Sequence, residues 1–87
     1  MKKYRIVLTD AEYNLLQDLT RQTGTDCWFS LSTDADGFDC VYDLERKRKI
    51  TLRYAITVLN DTITPELFNE VEIYIYNKLL EKLNIKH

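Results

Sequence analysis

The chain reads as an α+β fold of order β-α-β-β-β-α: a four-stranded, mostly antiparallel sheet with two helices packed on one face. Three observations predict it. Thr9-Asp10-Ala11-Glu12 is a capping box that opens a helix. The run Lys49 to Leu59 alternates Ile50, Leu52, Tyr54, Ile56 and Val58 with Thr51, Arg53, Ala55, Thr57 and Leu59, which predicts a long half-buried strand. Thr64-Pro65 has the chemistry of a second helix start. With 87 residues, 45% hydrophobic and 30% charged, the chain predicts one compact domain over residues 1–87.

Tyr4 to Leu8 is expected to be a short strand. The helix after it is predicted over 10–22, with Leu8 and Tyr13 at the staple positions, Ala11, Leu15, Leu16 and Leu19 on the buried stripe, and Gly24 as the left-handed stop. Cys27 to Ser32 and Phe38 to Glu45 read as a hairpin around the polar run Thr33 to Gly37. Pairing odd positions of the first strand with even positions of the second puts Cys27, Phe29, Leu31, Phe38, Cys40, Tyr42 and Leu44 on the core face, continued by the even positions of the 49–59 strand. Trp28, Ser30, Asp39, Val41, Asp43, Thr51, Arg53, Ala55 and Thr57 then fall on the face left uncovered. The last helix is predicted over 65–84. Phe68, Val71, Ile75, Leu79 and Leu83 are expected on the sheet, with an apolar shoulder of Ile73, Tyr76 and Leu80 beyond it.

Function is less legible. The run Asp34-Ala35-Asp36-Gly37-Phe38-Asp39 has some of the acids of a calcium loop, but an EF-hand alignment puts Ser32 first and Asp43 twelfth, between strands. Tight-turn chemistry accounts for it, and no metal site is expected. The single histidine is His87 and two glycines make no phosphate-cradling loop, so neither catalysis nor a cofactor is expected. Cys27 and Cys40, in predicted strands, read as small buried hydrophobes kept reduced. Ile6-Val7-Leu8 is far short of a secretion signal's apolar region, and no segment reaches the length of a membrane span, so a cytoplasmic protein is expected.

Charge is segregated. From Asp26 to Glu45 there are six acids and no base; from Arg46 to Arg53 there are five bases and no acid. The leading expectation is a non-enzymatic protein-binding module that uses Trp28, Asp34, Asp36, Asp39, Val41 and Asp43 against a basic surface of a target. One alternative is nucleic-acid binding through Arg46, Lys47, Arg48, Lys49 and Arg53. Another is a structural homodimer through Ile73, Tyr76 and Leu80.

Residues 10–84 share the order α-β-β-β-α with the double-stranded-RNA-binding domain, a resemblance in element order alone. That family grips phosphates with a basic cluster at the start of its last helix, where this chain has Glu66, Glu70 and Glu72, so the resemblance implies no RNA binding here. In size and charge the chain also resembles phage-encoded inhibitors of CRISPR nucleases, an analogy of composition that implies an inhibitor or regulator.

Overall fold

Helix α1 (Asp10–Thr23) begins where the capping box places it. In the computed structural model, which describes residues 6–63, 66 and 68–85, Thr9 Oγ1 accepts from Glu12 N at 3.1 Å and Glu12 Oε1 accepts from Thr9 N at 2.9 Å. Gly24, at φ 77°, ends the helix in the left-handed conformation that costs glycine least. Leu15, Leu16 and Leu19 are buried as predicted; Ala11 is exposed, and Glu12 takes the buried position one residue on.

A short 3-10 turn (Thr25–Cys27) leads to strands β1 (Phe29–Thr33), β2 (Asp39–Asp43) and β3 (Arg48–Ile50). They form a three-stranded antiparallel sheet in the order β1-β2-β3. The register joins Phe29 to Asp43, Leu31 to Val41 and Val41 to Ile50. Odd positions of β1 therefore share a face with odd positions of β2, which corrects the expected parity. The connection from Asp34 to Phe38 is closed by Asp34 N donating to Phe38 O at 2.9 Å. A one-residue change of register exchanges the faces of a whole strand. Val41, expected outside, is a core residue at 3% exposure; Tyr42 and Leu44, expected inside, are exposed.

The largest correction concerns residues 49–59. Only Arg48–Ile50 is strand; Leu52–Asn60 is helix α2, capped by Thr51 Oγ1, which accepts from Tyr54 N at 3.1 Å. Its buried residues, Leu52, Ala55, Ile56 and Leu59, stand at i, i+3, i+4 and i+7, one stripe of a helix. A strand would have sent Ala55 and Leu59 to solvent. The order of elements is thus α1, the 3-10 turn, β1, β2, β3, α2 and α3, and the fourth strand is absent among the described residues. Of the expected first strand, Tyr4 and Arg5 lie outside the described residues. Ile6 makes one antiparallel bridge to Asp39, on the side of β2 that faces β3.

Helix α3 (Glu70–Lys82) starts later than predicted; Thr64 and Pro65 lie outside the described residues. Asn69 and Glu72 form its capping box. The buried residues are Tyr76, Leu79 and Leu80, followed by Leu83, whereas Val71 is exposed. The expected shoulder is therefore largely core. α3 packs on α1 and α2 packs on β2, and one apolar cluster joins Leu16 and Leu19 of α1, Val41 and Ile50 of the sheet, Ile56 of α2 and Leu80 of α3. Two polar ties lock this layer. Lys82 Nζ donates to the buried Glu12 Oε1 at 2.6 Å, and the Tyr76 hydroxyl donates to Asn60 Oδ1. The order α-β-β-β-α runs from α1 through α2, within residues 10–60, with a further helix behind it. Its closing helix carries Arg53 in its first turn, while Glu70 and Glu72 belong to the first turn of α3.

Candidate functional site

The open end of the β1–β2 hairpin is built by turns that hold an aromatic side chain out of the core. Thr25, fully buried, shares a hydroxyl contact with Thr23 at 3.1 Å and fixes the chain as it leaves α1. Trp28 N then donates to Thr25 O at 2.9 Å, and Trp28 O accepts from Leu44 N at 2.8 Å, which ties the residue to the end of β2. Asp43 closes the β2–β3 turn, its Oδ1 accepting from Glu45 N at 3.0 Å and Arg46 N at 2.9 Å.

Between this turn and α2 lies a groove of about 170 Å³ bordered by Trp28, Phe29, Asp43, Arg46, Tyr54 and Val58, with Glu45 also on its rim. Trp28 is 51% exposed and Tyr54 53%. Two large aromatic side chains beside acidic and basic groups make a surface that can bury apolar area at its centre and pair charge at its edge, the anatomy of protein interfaces. Tyr54 is the site residue that sequence reading missed, because the strand pattern placed it in the core; the helical spacing of Leu52, Ala55, Ile56 and Leu59 is the signal that turns it outward.

The acids expected to form one surface are divided by the structure. Asp39 is buried at 7% exposure; its Oδ2 accepts from Leu8 N at 2.6 Å and its Oδ1 from Thr33 Oγ1 at 3.0 Å. It joins the N-terminal segment to the hairpin and is not a surface group. Asp34 Oδ1 accepts from Asp36 N at 2.9 Å and Phe38 N at 3.0 Å, while Lys49 Nζ stands 3.5 Å from Oδ2. The Phe38 N–H bond, with smaller help from Asp36 N–H and Lys49, holds the Asp34 carboxyl below its ordinary range. This carboxylate serves its own loop, the role tight-turn chemistry assigns to it. Asp26, Asp36 and Glu45 are the exposed acids of the run. Val41 is in the core, so it leaves the candidate surface.

Arg46, Lys47 and Arg48 are exposed in and after the β2–β3 turn, with Lys47 at φ 55°. Lys49 is drawn to Asp34, and Arg53 Nη2 donates to Asn84 O at 3.4 Å. Of the three residues expected at a homodimer contact, Tyr76 and Leu80 are buried and Ile73 is exposed. Cys27 is exposed in the 3-10 turn, which corrects its expected burial; Cys40 is buried, and both thiols are free. Among the described residues no helix is long and apolar enough to cross a membrane. No family model, no curated protein and no solved structure matches this chain.

Proposed function

We propose that this chain is a non-enzymatic protein-binding module that docks a basic surface of a target through the Trp28–Tyr54 groove and the acids around it. The observation that carries the reading is the pair of half-exposed aromatic side chains in one groove, rimmed by Asp43 and Glu45. Leaving a tryptophan and a tyrosine half in water forgoes part of a burial worth roughly 1.5–3 kcal/mol for a large apolar side chain, a cost that a partner recovers. Asp26 and Asp36 extend the acidic field beyond the groove and favour encounter with a cationic patch. Basic patches of this kind are what nucleic-acid-handling proteins present, so the module acts as an inhibitor or regulator by occupying one. Its free thiols suit a reducing compartment such as the cytoplasm.

Capture from a host lysate on immobilised protein tests the reading. The wild type retains a partner that the Trp28→Ala/Tyr54→Ala double variant loses, while the double variant keeps its thermal midpoint because both side chains lie largely outside the core. Equal capture by both proteins would refute the groove as the contact.

A second reading has one observation in its favour: among the described residues, no ion pair holds Arg46, Lys47 or Arg48. As a phosphate-contacting turn, these residues would shift DNA or RNA in a gel at ~50 mM salt, and alanines at Arg46, Lys47, Arg48 and Lys49 would abolish the shift.

A further inference from the structure

β1 is an edge strand whose own residues carry none of the usual protection, and α1 covers it only in part. Among the described residues its one neighbour is β2. Its sequence, Phe29-Ser30-Leu31-Ser32-Thr33, has no charge, no proline and no bulge. The bonds Leu44 N to Trp28 O and Asp34 N to Phe38 O make the even positions of this hairpin the hydrogen-bonded pairs. The N–H and C=O groups of Phe29, Leu31 and Thr33 therefore point away from β2. The Leu31 carbonyl agrees: it faces α1, where the Tyr13 hydroxyl donates to it across 3.4 Å. Between this edge and α1 runs a second groove, of about 320 Å³, lined by Gln17, Arg21, Asp26, Phe29, Leu31 and Leu44. Phe29 borders this groove and the Trp28–Tyr54 groove alike.

We infer that an extended segment of the partner protein, flanked by basic residues, adds to the sheet as a strand along the outer edge of β1 and takes the Leu31 carbonyl over from Tyr13. The inference rests on the protein-binding reading above and names what the partner presents. Backbone complementarity demands an extended segment: an edge of outward N–H and C=O groups is matched by another strand, at about 17 Å for five residues. The basic flanks come from charge. Asp26 stands exposed before the strand, and Asp36 follows it, also exposed. Arg21, the cation lining the groove, is paired with Asp18 at 2.5 Å. The same charges disfavour a second copy. Antiparallel pairing of two β1 edges about Leu31 would set Asp26 of one chain opposite Asp36 of the other, and Trp28 opposite Asp34.

The test uses the intact protein and a synthetic peptide of alternating valine and threonine with lysines at both ends, beside a counterpart ended in glutamates. Amide hydrogen exchange of the isotopically labelled protein is the readout. At saturating lysine-ended peptide, the Phe29, Leu31 and Thr33 amides are expected to exchange about tenfold more slowly or better, and the glutamate-ended peptide leaves them unchanged. The Asp26→Lys/Asp36→Lys variant is expected to bind the lysine-ended peptide about tenfold more weakly at low salt, with its thermal midpoint retained. Binding without protection of those three amides, or no binding at low salt, would overturn strand addition. Protection without peptide, accompanied by a doubled mass in light scattering, would overturn it in favour of self-pairing. In each case the capture experiment on Trp28 and Tyr54 still decides the protein-binding reading separately.

Discussion

Asp36 and Asp39 stand three positions apart in the same acidic run and belong to different regions of the molecule. Asp39, on β2, has both carboxylate oxygens bonded within the fold and holds the N-terminal segment against the hairpin. Asp36, at the loop tip, is exposed, with only its backbone N–H engaged. The distinction extends across the chain. Glu12 and Asp39 are buried and bonded, Asp34 and Asp43 cap turns, and Asp26, Asp36 and Glu45 face solvent. A cluster of like charges is thus no guide by itself to a binding surface. What an acid can offer a partner is what its own fold has not already used.

That division has consequences of graded size. Asp39→Ala leaves the buried Leu8 N–H and Thr33 hydroxyl without their acceptor and is expected to cost about 3 kcal/mol in urea unfolding. Asp39→Asn, which keeps an acceptor, recovers part of that loss; an Asp39→Ala protein as stable as the wild type would erase the distinction between the two regions. Glu12→Ala removes half of a capping box and the partner of Lys82, for about 2 kcal/mol.

The same region sets the response to acid. Burial acts to raise the Glu12 carboxyl, but the hydrogen bond from Lys82, the Thr9 N–H and the Lys82 charge together carry it below its usual 4.5. Asp34 is likewise lowered. Each ionises more readily folded than unfolded, so its contribution is present above the ordinary carboxylate range and is lost as pH falls through the folded value. Glu12→Gln should flatten the acid limb of the stability curve. At the alkaline end, burial pushes Tyr76 up to about 12, so stability falls as pH rises above 10, where the unfolded phenol ionises first. Tyr76→Phe should make that limb shallower. The smallest effects belong to the solvent-facing acids: Asp26→Lys, Asp36→Lys and Glu45→Lys should each stay within about 0.5 kcal/mol of the wild type.

Where the sequence was legible, a local signal had one reading. Thr9 with Glu12, and Gly24, bound the first helix to within one residue. The Asp34 to Gly37 run marked the hairpin turn. The 49–59 segment was ambiguous in a definable way. Leu52 and Ile56 satisfy both a period of two and a helical stripe; Tyr54 and Val58 completed the first pattern, Ala55 and Leu59 the second, and only packing chose between them. Thr51, an N-cap three residues before Tyr54, was the local hint for the helix. The faces of β1 and β2 depended on whether the connecting loop spans an odd or even number of residues, a matter of backbone geometry that composition does not carry. Those two ambiguities account for the site: Trp28 is legible as an exposed aromatic, whereas the strand pattern turns Tyr54 inward and the expected parity puts Val41 and Asp39 on a face they do not occupy.

In the proposed function, the acids left free by the fold, not those within it, recognise the partner. The direct test compares the wild type with the Asp26→Lys/Asp36→Lys/Glu45→Lys variant, whose unfolding midpoint should match, in association with the partner captured on the wild type. Association of the variant is expected to be slower at low salt, by about tenfold or more, with the difference narrowing as salt rises. Equal association rates at low ionic strength would contradict it.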